Sequence, residues 1–190
     1  MASFSLARHA DDLRCVISES VAALERPARD VSALLIDRLR SGGKILIFGN
    51  GGSAAQAAHF AAELVGRFKE ERRALPALAL GSDGPSATCI GNDFGFEALF
   101  ERPVAAFATD NDVCVGLTTS GRSNNVLRGL AAAKRTGAAT IALTGSGGLG
   151  EIEIDHLLAV PSPSTARVQE IHLLIIHAWC AQVDEALSAS

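Results

Sequence analysis

The stretch that decides the fold is "KILIFGNGGSAAQAAHFAAELVGRF", residues 44–68. "KILIF" is a short, continuous apolar run, as a strand covered on both faces requires. "GNGGS" breaks it with three glycines around Asn50. The chain then resumes on alanine, a strong helix former. Strand, glycine turn and helix together make an anion cradle. Small residues let the backbone approach a ligand, and the free N–H groups of a helix start favour negative charge. The helix also carries His59 and Glu63, four positions apart on one face.

Outward from this stretch the same punctuation recurs. "ALPALAL", "DVCVGLT", "AATIAL" and "DHLLAV" are further short apolar runs. Helical segments are expected at 53–67, less clearly within 86–108, at 123–136 and in the final "STARVQEIHLLIIHAWCAQVDEALS". Strand and helix in alternation imply an open parallel α/β sheet, with ligands at the carboxyl ends of its strands. Before the first strand, Leu6, Ala10, Leu13, Ile17, Val21 and Leu24 recur at three- and four-residue steps, predicting an amphipathic helix over 5–25. A second helix, "ARDVSALLIDRLRSGG", would stop at Gly42–Gly43. These helices would cover the sheet or form an oligomer interface.

Bulk properties narrow the class. A chain of 190 residues suits one domain, here 1–42 helical and 43–190 the α/β core. It is 48% hydrophobic, enough for a large core, and its net charge of −4 with no basic run disfavours a nucleic-acid partner. "MASFSLARHADDLRC" lacks the apolar core of a signal peptide, and "LLIIHAWCA" is too short to cross a bilayer. Cys15, Cys89, Cys114 and Cys180 are widely spaced with no Cys-x-x-Cys, which reads as reduced, buried thiols of a cytoplasmic protein.

Two loops carry the polar chemistry. "GNGGSA" reads as G-x-G-x-x-A, a variant of the dinucleotide fingerprint. That fingerprint wants an acid about 20 positions on, whereas the acid after the next strand, Asp83, comes about 30 positions after Gly51. A dinucleotide, a smaller phosphate ligand and a bare structural turn all stay open on the loop alone. The second loop, "LTTSGRSNN" (117–125), places Thr118, Thr119, Ser120 and Ser123 before another helix. Hydroxyls and unpaired N–H groups surround a dianionic phosphate without net positive charge. One hydroxyl suffices for a helix cap, so four exceed that need.

The ionisable residues are less decisive by themselves. His59 and Glu63 suit two ligands of one metal or an acid–base pair, and equally an exposed polar pair. In "QEIHLLIIH", Gln169 and His177 stand about 80° apart around the helix but about 12 Å apart along it. His172 is about 140° from His177 and points elsewhere. His177, flanked by "LLII" and "AWC", also reads as a core histidine.

Taken together, "GNGGSAAQAAHFAAELVGRF", "GNDFGFEALF", "TTSGRSNNV", "ALTGSGGLGEI" and "RVQEIHLLIIH" resemble the phosphoheptose isomerases of the sugar-isomerase (SIS) fold, through essentially the whole chain. The resemblance implies a three-layer sandwich of SIS type, a five-stranded parallel sheet flanked by helices with an N-terminal helical extension. It implies interconversion of sedoheptulose 7-phosphate and D-glycero-D-manno-heptose 7-phosphate, for nucleotide-activated heptose and lipopolysaccharide synthesis. It implies a cytoplasmic homotetramer with sites shared between chains, zinc, and no nucleotide cofactor. Thr118, Thr119, Ser120 and Ser123 would hold the phosphate. Asn50, Gly51, Gly52, Ser53, Asn92 and Asp93 would line the sugar-phosphate, with Glu63 and Gln169. His59, Glu63, Gln169 and His177 match the zinc ligands, and Glu63 and His177 the proton-transfer pair.

The chain departs from that pattern in one place. Where an acid is common before the Gln-Glu pair, "PSPSTARVQE" offers Ser164 and Thr165. This is closer to the replication-initiator-associating proteins, which share the fold and tetramer but act as binding partners. Those would carry a non-His residue at the position of His177. His177, with His59 and Glu63, favours the enzyme. An isomerase of another sugar phosphate is the remaining alternative.

Overall fold

The computed structural model describes residues 4–188. The five apolar runs form β1 (Ile45–Gly49), β2 (Ala77–Ala79), β3 (Val113–Thr118), β4 (Ala139–Thr144) and β5 (His156–Ala159). They make one sheet, ordered β2-β1-β3-β4-β5, and each pairing is parallel. Helices alternate with them: α1 (Leu6–Arg40), α2 (Gly52–Val65), α3 (Gly84–Phe94), α4 (Glu101–Phe107), α5 (Asn124–Thr136) and α6 (Thr165–Leu187). A 3₁₀ turn, Phe96–Ala98, separates α3 from α4.

The two-residue period of the strands divides their side chains between two cores. Ile45, Ile47, Val113, Val115, Leu117, Ile141 and Leu143 pack with α1, α2 and α6. Leu46, Phe48, Cys114 and Ala142 pack with α4 and α5 on the other face. The result is three layers, helix–sheet–helix. Every residue of β1 and β3 is buried, which accounts for their continuous apolarity.

Two expectations are corrected. The leading helices are one helix of 35 residues, with Pro27 inside it. Proline lacks the N–H that would bond the carbonyl four residues back, here that of Ala23, and such a loss normally ends or kinks a helix. Packing outweighs it: Leu24, Val31, Leu35 and Leu39 lie in the core on both sides of the proline. The indole Nε1–H of Trp179 on α6 also donates to the Ala28 carbonyl at 2.9 Å, one residue past it. The stop itself is as expected, with Gly43 N–H closing on the Arg38 carbonyl at 2.8 Å. The second correction concerns the thiols. Cys114 and Cys180 are buried, and burial pushes both up to about 12, but Cys15 and Cys89 are exposed. Both lie on solvent-facing helix surface that sequence periodicity did not separate from the apolar side.

Candidate active site

The strand order reverses between β1 and β3: β2 lies to one side of that pair, β4 and β5 to the other. A crevice opens at such a point, beyond the carboxyl ends of the strands. The two glycine loops lie there, since the first follows β1 and the second follows β3. A reciprocal amide pair joins them. Asn50 Nδ2 donates to Asn125 Oδ1 at 2.9 Å, and Asn125 Nδ2 returns to Asn50 Oδ1 at 2.8 Å. Asn125 Oδ1 also accepts the Val126 N–H at 2.9 Å. Asn125 is buried and its role was missed in sequence; only the second Asn of "SNN" hinted at it.

The hydroxyl loop is organised around its own helix start. Thr118 is buried, and its Oγ1 lies 3.1 Å from Ser123 Oγ, the N-cap residue of α5. Ser120 Oγ accepts the Arg122 N–H at 3.2 Å. None of these hydroxyls makes a side-chain cap bond to α5, nor does any side chain cap α2. Both helix starts therefore keep N–H groups free for an anion. The loop after β4 closes the wall, with Gly145 N–H donating to the Thr119 carbonyl at 3.2 Å. Gly121, at φ 67°, is obligatory there: a Cβ would come within 1.6 Å of the Gly148 carbonyl oxygen.

Helices α2 and α6 lie side by side and build the other half. At the loop end, a Cβ on Gly52 would meet the Gln169 amide nitrogen at 2.4 Å, so a larger residue there would push the Gln169 side chain aside. Gln56 Nε2 donates to the Gln169 carbonyl at 2.7 Å. Two turns further along α2, His59 Nε2 lies 2.9 Å from His177 Nε2 and 3.4 Å from Glu63 Oε1. One ring nitrogen must carry the proton the other accepts. Phe68 stacks on the His177 ring, centroids 5.4 Å apart. His177 is thus half-buried in the groove, while His172 points into the core. Its Nε2 is 3.1 Å from the Thr144 carbonyl, and burial lowers its pKa to about 4, so it stays neutral.

The remaining expected residues are placed as follows. Ser53 is buried at the start of α2, and Gly51 precedes it as N-cap. Asn92 and Asp93 are exposed on α3, where Asn92 Nδ2 donates to Asp93 Oδ1 and Cys89 Sγ reaches Asp93 Oδ2. No described hydrogen bond joins them to the two loops. Asp83 precedes α3 and accepts the Ser86 hydroxyl.

For a metal, donor type and pair spacing are suitable. Nitrogen and oxygen ligands of one tetrahedral zinc stand roughly 3.3 Å apart, close to the His59–His177 and His59–Glu63 separations. The full cage is not assembled. Among the described residues no group of three or more His, Cys, Asp or Glu is placed to hold a metal ion, and the Gln169 amide lies beside Gly52.

One end of the sheet thus brings together two glycine and hydroxyl loops and a groove that holds His59, Glu63 and His177, and known proteins share the fold. Residues 8–145 match the SIS domain model. The chain is 52% identical over 157 residues to a phosphoheptose isomerase of Aquifex aeolicus, covering 82% of each chain. The solved phosphoheptose isomerase of Neisseria gonorrhoeae superposes with a TM-score of 0.88 at 42% identity, covering 95% of this chain and 97% of that one. That of Francisella tularensis gives 0.90 at 36% identity, covering 95% and 96%. This chain belongs to the phosphoheptose isomerase family of SIS-domain proteins, which are sugar-phosphate isomerases.

Proposed function

We propose that the protein interconverts sedoheptulose 7-phosphate and D-glycero-D-manno-heptose 7-phosphate, and so supplies nucleotide-activated heptose for lipopolysaccharide-type glycans. The observation that carries this reading is the approach of His59, Glu63 and His177 in a groove that starts at the phosphate cradle. The phosphate sits on the hydroxyls of Thr118, Thr119, Ser120 and Ser123 and on the free N–H groups of α2 and α5. Asn50, Gly51, Gly52, Ser53 and Gln169 line the sugar, and the extended open-chain sugar runs along α2 toward the imidazole pair.

The reaction moves one proton between C1 and C2 through an enediol. Glu63, as carboxylate, removes the C1 proton of the ketose; its side chain is 21% exposed, so that proton exchanges with solvent before Glu63 delivers one to C2. The His59–His177 pair holds one proton between two nitrogens, so it can donate to one sugar oxygen and accept from the other without net loss. The half-buried groove lowers the local dielectric and strengthens each of these interactions.

Zinc belongs to the proposal as an accessory: His59, Glu63, Gln169 and His177 would hold it, and it would polarise the sugar oxygens. No step above runs through it. A homotetramer is supported by unburied apolar surface. A groove of about 590 Å³ lies between α1 and α6, lined by Ala28, Ile36 and Ala178, and α3 has no buried residue. Among the described residues no helix is long and apolar enough to cross a membrane. Free Cys15, Cys89, Cys114 and Cys180 suit a reducing, cytoplasmic setting. The test is turnover of sedoheptulose 7-phosphate by purified protein, with and without zinc. We expect aldose product, abolished in His177→Ala. A folded protein that yields none in either condition refutes the substrate.

A further inference from the structure

On α6, Asp184 stands two turns beyond His177 and about 20° from it in azimuth, on the same face. Its carboxylate is buried and fully used. Oδ2 accepts the N–H groups of Lys69 at 2.7 Å and Glu70 at 2.9 Å, and Oδ1 accepts Arg72 Nε at 2.7 Å. The Arg72 side chain is 0% exposed. Its Nη2 donates to the Glu63 carbonyl at 2.7 Å, and its Nη1 to the Leu64 carbonyl at 2.9 Å. Helix α2 has no basic residue in its last turn, so its final carbonyls are closed by this guanidinium from outside the helix.

The same ion pair thus touches both halves of the groove. It binds the backbone of Glu63 directly. It also folds residues 66–70 back onto α6, which lays Phe68 on the His177 ring at an interplanar angle of 27°. His59 meets the same ring edge-on, with centroids 5.1 Å apart. A buried pair of this kind gives little net stability compared with apolar residues of the same volume. What it supplies here is geometry.

We propose that Arg72 and Asp184, acting through Phe68 and the Glu63 carbonyl, are positioning residues that set the distance and orientation between the Glu63 carboxylate and the His177 ring. The inference rests on the isomerase reading above. Neither Arg72 nor Asp184 touches substrate; each acts on a group that does.

The test uses the full chain and two variants, Asp184→Asn and Phe68→Leu. Phe68 lies on a half-buried loop, so its variant folds even where Asp184→Asn does not. Two quantities are read: kcat against KM for sedoheptulose 7-phosphate, and the ring resonances of ¹³C-labelled His177, assigned by their loss in His177→Gln. In folded protein kcat should fall roughly ten- to a hundredfold for Asp184→Asn. It should fall less for Phe68→Leu, with KM near wild type because the phosphate cradle is intact. The His177 resonances should move in Asp184→Asn, which leaves the Phe68 ring itself in the chain. Unmoved resonances, or wild-type kcat in both folded variants, overturn the proposal. A wild-type chain that turns nothing over instead refutes the isomerase reading, and the resonances still decide whether the pair positions His177.

Discussion

The two ends of the sheet are built on opposite principles. At the amino end the polar groups are charged and saturated. Asp112, ahead of β3, accepts from Lys44 N at 2.8 Å, Lys44 Nζ at 2.6 Å, and Thr109 N and Oγ1 at 2.7 Å each. Asp155, ahead of β5, accepts from Thr140 N and Oγ1 at 2.8 Å and pairs with Lys134. At the carboxyl end the groups are neutral and under-used. Thr118 and Ser123 share one contact, and neither N-cap residue, Gly51 of α2 or Ser123 of α5, caps its helix with a side chain. A saturated end fixes strand register. An end with donors to spare is where a ligand completes the hydrogen bonding.

That contrast can be broken most strongly at Glu63. Glu63→Gln keeps the shape and removes the base, so kcat should fall ~10³-fold with the unfolding midpoint unchanged; turnover and thermal denaturation on one sample decide it. The mirror experiment is Asp112→Ala. It should cost about 3 kcal/mol of stability, because four donors lose a buried acceptor, one of them a Lys44 only 27% exposed. Turnover per folded molecule should stay at the wild-type value. Urea denaturation beside an assay checks both halves.

His172 sharpens the comparison through pH. Burial lowers its folded pKa to about 4, against an ordinary 6.5. Between these values the unfolded chain binds the extra proton, so stability rises with pH and is fully present above about 6.5. The gap is worth ~3 kcal/mol, lost as pH falls from 6.5 toward 4. His172→Gln should flatten urea midpoints across that window. Asp112 acts lower. Burial raises its pKa, but Lys44 and Thr109 more than offset this, so its contribution is lost only below the ordinary carboxylate range. The smallest effect belongs to Ser123→Ala. One hydroxyl of the cradle is worth ~1 kcal/mol, a rise in KM of ~5-fold with kcat retained, read from initial rates.

Legibility followed contact range. All five strands were readable because burial on both faces writes an unbroken apolar run, and the two loops because glycine and hydroxyl residues cluster beside each other. The approach of His59 to His177 was implied by the family resemblance alone and not by spacing, because it depends on two helices packing side by side across 118 positions. Asn125 and the Arg72–Asp184 pair were missed for the same reason: their partners lie 75 and 112 positions away. Pro27 misled because local propensity was outweighed by core contacts from the rest of the chain. The exposure of Asn92 and Asp93 was hidden too, since α3 has a helix's composition but buries no side chain in this chain.

The central claim is a proton transfer at the open end of the sheet, and solvent deuterium tests it most directly. Sedoheptulose 7-phosphate is incubated with the protein in D₂O, and the aldose product is examined by NMR. The account requires deuterium at C2 of the product, and its disappearance together with the product in Glu63→Gln. Aldose formed without deuterium at C2, or formed as fast by Glu63→Gln, would contradict it.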